Sequence, residues 1–215
     1  MEMEVVLDWG LLALCMPASV LNSAVLVLAQ RFIREREEKA AHLAIASLTT
    51  ANLILTLIHY PIRVVSKFVQ FLSSPWQCMS LYGLLWVGIP ASAFSLSLLN
   101  LDKLLYFAFP LRYEAIVSQR RAWAAVLLAW AVCGGNVLVG AATGAIRFNQ
   151  DKLAIVAEMK NETLEEAYFC NGIQLDMVWY MMYAVVFTLT PVLSSLGLSL
   201  YLLVLCRRFQ RSEQP

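Results

Sequence analysis

Five stretches of this sequence are apolar for longer than a membrane crossing requires, and that limits the fold more than any other feature. They cover residues 5–29, 40–65, 76–109, 122–145 and 177–206. A helix rises about 1.5 Å per residue, so about 20 mostly apolar residues cross the roughly 30 Å of hydrocarbon in a bilayer. Lipid cannot hydrogen-bond a bare backbone, so each stretch must satisfy its own polar groups as a helix. The expected fold is all-α, a polytopic membrane helix bundle with five transmembrane helices. It forms one membrane domain over 1–215, with a long loop at 146–176 and a tail at 207–215. Composition agrees: 60% of the residues are hydrophobic and 14% charged, against roughly 45–50% and about 25% in soluble domains. A net charge of +1 and the lack of any run of five like charges offer nothing to nucleic acid.

Charge placement orients the bundle. Glu2, Glu4 and Asp8 precede the first apolar stretch while Arg31, Arg34, Arg36 and Lys39 follow it. That order argues against a cleaved signal peptide and for a retained first helix with its N-terminus outside. Eleven Lys and Arg then fall on one side (Arg31, Arg34, Arg36, Lys39, Lys103, Arg112, Arg120, Arg121, Arg207, Arg208, Arg211) and five on the other (Arg63, Lys67, Arg147, Lys152, Lys160). The richer side is expected to be cytoplasmic, in a multi-pass protein of the plasma membrane. The 146–176 loop is then outside, which makes Asn161, in Asn161-Glu162-Thr163, a usable glycosylation site.

Cysteine placement fits the same topology. Cys15 and Cys133 lie inside spans and read as small buried hydrophobes, while Cys206 suits either palmitoylation or packing. Cys78 opens the third span and Cys170 lies in the outer loop, so the two share an oxidising compartment and can be bridged. Such a bridge would restrict the unfolded chain by about 4–5 kcal/mol in the entropy model and pin the loop over the third helix as a lid on an outward-facing cavity.

Further landmarks follow one per helix: Asn22-Ser23-Ala24-Val25 in the first, residues 43–53 ending in Asn52-Leu53 with Pro61 beyond in the second, and Cys78 well ahead of Asp102-Lys103-Leu104 in the third. Pro110-Leu111-Arg112-Tyr113, Trp130, Cys170 and Pro191 complete the series. In this order, and over nearly the whole chain, they resemble the rhodopsin-like (class A) G-protein-coupled receptors. Asn52 stands where that family usually has Asp, Lys103-Leu104 stand where it has Arg-Tyr, and Leu21 replaces a usual Gly. The resemblance implies that Asp102 and Lys103 latch the inactive state and meet a heterotrimeric G protein. It also makes Asn52 and Ser92 part of a sodium site, from which Asn52 removes the anionic ligand that a hard cation prefers.

Residue chemistry gives its own reading of these positions. Asn22, Asn52, Asn100 and Ser92 need partners in hydrocarbon and should face the bundle interior, where the plain use of such groups is helix-to-helix adhesion. Lys103 near a span end can simply snorkel to the interface. Helical spacing puts Tyr82, Leu85, Trp86 and Ile89 on one face of the third helix, and Tyr180, Tyr183 and Phe187 in a stripe on the fifth above Pro191. Packing alone would explain an aromatic stripe; the resemblance makes both faces the ligand pocket. Leu85 then stands where amine receptors carry the Asp that pairs with an ammonium, so the extracellular ligand is expected not to be a charged amine.

The family has a sixth and seventh helix, whose Trp-Pro and Asn-Pro-x-x-Tyr features do not occur before Pro215. A fragment or incomplete gene model of a complete receptor is the preferred reading, over a truncated isoform that pairs with and suppresses a full-length chain in a receptor oligomer. Enzymatic chemistry has no constellation to support it. His42 and His59 are seventeen residues apart, about 25 Å along one helix, and share no metal; no cofactor is expected. Gly134-Gly135 falls inside the fourth span and suits close helix contact or a bend. The rivals are a small transporter or channel subunit, which would want mid-span charges and inverted repeats, and a non-signalling adaptor holding membrane lipid or a receptor through its basic loops.

Overall fold

The computed structural model describes residues 2–35, 39–69, 72, 74–159 and 169–212. Five of its helices are long and apolar enough to cross a bilayer: Val6–Arg34, Ala40–Val69, Pro75–Ala108, Gln119–Ala142 and Met177–Arg207, the first to fifth helices. The third is central, packed by the second, fourth and fifth, and the first packs on the second. Burial runs opposite to that of a water-soluble globule. Leu14, Leu21, Leu128, Leu138 and Leu200 are all more than half exposed, while Ser47, Ser66, Ser95, Asp102 and Ser195 are buried. Side chains that prefer hydrocarbon thus face outward, and hydrogen-bonding groups face each other.

Small residues set the helix spacing at mid-depth, where Ala51, Ala91 and Cys133 of the second, third and fourth helices pack with at most 1% exposure. Hydroxyl and amide groups then join the helices. Trp130 Nε1 donates to Ser47 Oγ at 2.9 Å, and Ser47 and Ser95 hydroxyls lie 2.8 Å apart. Ser95 spends its one proton on Ala91 O at 2.7 Å, so Ser47 must be the donor of the shared bond. Asn52 Nδ2 donates to Asn22 Oδ1 at 3.3 Å, tying the first two helices. Asn100 Nδ2 reaches Ser195 Oγ at 2.7 Å and Ser199 Oγ at 3.0 Å on the fifth helix. Ser92 does not join this network: its hydroxyl turns back onto Ile89 O of its own helix.

Both Pro61 and Pro191 follow a π turn, Ile54–His59 in the second helix and Tyr183–Leu189 in the fifth. A proline lacks the N–H of a helical turn, and its ring crowds the carbonyl four residues back. Widening the turn relieves that crowding. Tyr60 N accordingly donates to Leu55 O and Thr190 N to Val185 O, each five residues back.

The segment between the fourth and fifth helices, expected only as a loop, is built. The fourth helix stops at Thr143, and Gly144 takes a φ of 73°, a left-handed turn that suits a residue without Cβ. Strands β1 (Ile146–Phe148) and β2 (Ile173–Leu175) pair antiparallel, with Ile146 opposite Leu175 and Phe148 opposite Ile173. A helix at Gln150–Met159 starts from Asn149, whose Oδ1 accepts from Asp151 N and Lys152 N, and lays Leu153 and Ala157 on Phe148. Cys78 and Cys170, 92 residues apart, form a disulfide with a Cα–Cα distance of 5.2 Å, which fastens the hairpin to the start of the third helix. Asn161 lies outside the described residues. The bundle thus has a disulfide end and, opposite, a basic end carrying Arg34, Arg112, Arg120, Arg121 and Arg207.

Candidate functional site

The third helix places candidate groups at both of its ends. It begins at a Ser74 cap, where Ser74 N donates to Gln77 Oε1 at 3.1 Å and Pro75 takes the first helical position. Beneath the hairpin, at the disulfide end, lies a cavity of about 460 Å³ lined by Tyr82, Trp86, Lys152, Cys170, Asn171, Ile173, Leu175, Met177 and Tyr180. Drug-sized ligands occupy cavities of roughly this volume with apolar walls and a few polar groups.

An aromatic chain runs through the wall and into the packed layer behind it. His59 and Tyr82 rings lie 6.0 Å apart, Tyr82 and Trp86 5.9 Å, Trp86 and Trp179 5.8 Å, Trp179 and Tyr183 5.5 Å, and Tyr183 and Phe187 6.1 Å. These separations are in the range of favourable ring contacts, and the chain crosses the second, third and fifth helices. Of the residues that spacing put at a pocket, Tyr82, Trp86 and Tyr180 line the cavity. Tyr183 and Phe187 lie in the packed layer behind it, Tyr183 at 7% exposure. Leu85 and Ile89 are half-buried and do not line it. The π turn accounts for part of this division, because Tyr180 precedes it and Tyr183 and Phe187 lie in it.

Sequence reasoning missed four residues here. Trp179 completes the aromatic chain, and only its place one residue off the Tyr180-Tyr183-Phe187 stripe hid it. His59 is fully buried and its Nδ1–H donates to Leu81 O at 2.8 Å, so it is a pin between the second and third helices. Lys152 and Asn171 reach the cavity from the loop, where no periodicity signals a direction. Among the described residues, no group of three or more His, Cys, Asp or Glu side chains could hold a metal ion.

At the basic end, Asp102 is 7% exposed and its Oδ1 accepts a hydrogen bond from Tyr113 Oη at 2.7 Å. Tyr113 begins a short helix, Tyr113–Ile116, and Arg121 Nη1 donates to Ala115 O at 3.0 Å and Ile116 O at 2.9 Å. The connection between the third and fourth helices is therefore held at both ends, and it presents Phe109 at 53% and Leu111 at 101% exposure. Asn22 and Asn52 meet at mid-bundle, while Ser92 stays apart from them.

The family described as 7 transmembrane receptor (rhodopsin family) matches residues 22–214. The chain belongs to that family. Among its relatives are the G-protein coupled receptor aex-2 of Caenorhabditis elegans, 32% identical over 48% of this chain and 30% of that protein, and the alpha-1A adrenergic receptor of Cavia porcellus, 29% identical over 42% and 20%. The adenosine receptor A3 of Canis lupus familiaris is 27% identical over 67% of this chain and 43% of its own. The chain thus spans less than half the length of these curated relatives. Membership makes this a multi-pass membrane protein of a receptor family, not of an enzyme family, and the transporter and adaptor readings are not favoured.

Proposed function

We propose that these five helices belong to a receptor that binds an extracellular ligand in the cavity at the disulfide end. Together with the helices that complete the family's seven, they would pass that event to a heterotrimeric G protein at the basic end. The cavity roofed by the disulfide-fastened hairpin carries this reading, because it offers an open-mouthed, largely apolar site on the helix whose far end holds Asp102. Exposed Phe109 and Leu111 beside Asp102 supply an apolar docking point for a partner. The unequal distribution of Lys and Arg supports an outside N-terminus in the plasma membrane, and Asn161 would then be glycosylated. No acid lines the cavity among the described residues, which supports a ligand other than a charged amine. Asn52 in place of an acid supports a bundle that does not hold sodium. Lipid contacts the exposed leucines, and a second receptor chain is a further partner of the bundle.

Two measurements test the reading. Asn161→Gln should abolish a glycosidase-sensitive gel shift, and a tag after Arg34 should react only in permeabilised cells; a tag reactive in intact cells refutes the orientation. Co-expression with a fragment supplying the sixth and seventh helices should give nucleotide exchange on a G protein, lost on Tyr82→Ala with Trp86→Ala. Exchange that is indifferent to those changes rejects the cavity as the ligand site.

A further inference from the structure

We propose that the ligand carries a carboxylate, held by Lys152; this rests on the cavity being the ligand site. Lys152 is the one charged side chain among the described residues lining the cavity, and no lining residue is acidic. Its position is fixed by the fold. Asn149 starts the loop helix two residues before Asp151 and bonds Lys152 N, while the Lys152 ammonium donates to Ile173 O of β2. An ammonium has three donors, and this bond uses one. Among the described residues, the neighbouring acids do not pair with it. Asp151 is exposed, Asp176 caps the fifth helix by accepting from Trp179 N at 3.0 Å, and Asp8 is paired with Lys67.

A half-buried cation with no counter-ion among the described residues lowers its free energy when an anion arrives with it in a site partly shielded from water. A ligand ammonium would instead meet a like charge there. Behind Tyr82, the His59 ring packs against it, and Arg63, one turn along the second helix, adds one cation whose buried Nε has no hydrogen-bond partner. Asn171 adds an amide to the wall. Opposite these polar groups stand the flat faces of Tyr82, Trp86 and Tyr180, suited to an aromatic or extended apolar body. The site therefore fits an amphiphile with one negative end.

The test uses two probes of one shape and opposite charge, indole-3-butyrate and 4-(indol-3-yl)butylamine, bound to the whole 215-residue chain in neutral-lipid nanodiscs. The acid should bind at least tenfold tighter than the amine. Lys152→Arg should keep that preference, Lys152→Gln should bring it close to parity, and Lys152→Glu should reverse it. Trp86→Ala should weaken both probes. Equal binding of acid and amine, or a preference that survives Lys152→Gln, overturns the carboxylate assignment while a Trp86→Ala loss keeps the cavity. Binding of neither probe, or binding insensitive to Trp86→Ala, overturns the cavity reading and the assignment with it. The Arg variant shows that a lost preference reflects charge and not misfolding.

Discussion

Replacing Gly140 by alanine isolates one close approach on which the pocket wall depends. A Cβ at that position would lie 2.8 Å from Ile146 Cδ1 and 2.8 Å from Trp179 Cε2. Ordinary carbon contacts begin near 3.5 Å, so each overlap is about 0.7 Å. Neither neighbour is free to yield: Ile146 is 2% exposed in β1, and Trp179 meets Trp86 edge-to-face and stacks on Tyr183. Overpacking of this kind costs about 1–3 kcal/mol, while Gly to Ala inside a helix returns about 0.8–1.0 kcal/mol. Gly135, five residues earlier on the same helix, removes the second term from the comparison, because a Cβ there meets nothing within 4 Å. Gly135→Ala should therefore be neutral or stabilising, and Gly140→Ala should fall about 1–3 kcal/mol below it. At about 2–4 °C per kcal/mol for a chain of this size, their melting temperatures should differ by roughly 2–12 °C. Tryptophan fluorescence during heating in one detergent reads the difference. Trp179→Phe, which removes the ring edge carrying Cε2, should recover part of the loss in the Gly140→Ala background. Equal melting of the two alanine variants would refute the steric argument.

Three other outcomes follow from the geometry. Tyr113→Phe removes a hydrogen bond to a carboxylate, worth about 1.5–3 kcal/mol, and should raise amide exchange across residues 110–116 by about ten- to a hundredfold; unchanged protection would mean the bond does not hold that turn. A double-mutant cycle of Ser47→Ala and Trp130→Phe should give a coupling of about 0.6 kcal/mol, with about 1.7 kcal/mol as its ceiling, as interhelical hydrogen bonds in membranes do. Strict additivity would place the two groups out of contact. Cys78→Ser should lose the loop-closure contribution of about 4–5 kcal/mol and lower the yield of folded protein, with Cys170→Ser doing the same and the double variant no worse; additive losses would deny the bridge.

The number and order of the membrane helices were legible because hydrophobic length is a one-dimensional property. The Cys78–Cys170 bridge was legible because topology put both sulfurs on one side. What periodicity could not supply was direction inside the bundle. Ser92 and Ser95 are alike in the sequence and both donate back to their own helix, yet only Ser95 also accepts from Ser47 across a gap. The choice depends on which neighbour approaches, not on the local run. Gly134 and Gly135 suited close contact or a bend and face open space, whereas Gly140 carries the close approach. Its contact comes from Trp179 and Ile146, distant in the chain and invisible to a local motif. Lys152 and Asn171 were hidden for the same reason, since the hairpin that aims them is a long-range pairing with only three residues in each strand.

The wide turn at Tyr183–Leu189 holds a residue more than α-helical winding would allot, and one residue corresponds to about 100° of rotation. The two halves of the fifth helix are therefore out of phase, as are those of the second around Ile54–His59. Deleting a single residue within either turn would leave every side chain downstream chemically intact and yet swing one half of the rod by about a quarter revolution against the other. Pocket composition in such a bundle can thus be rewritten by an indel that alters no pocket residue.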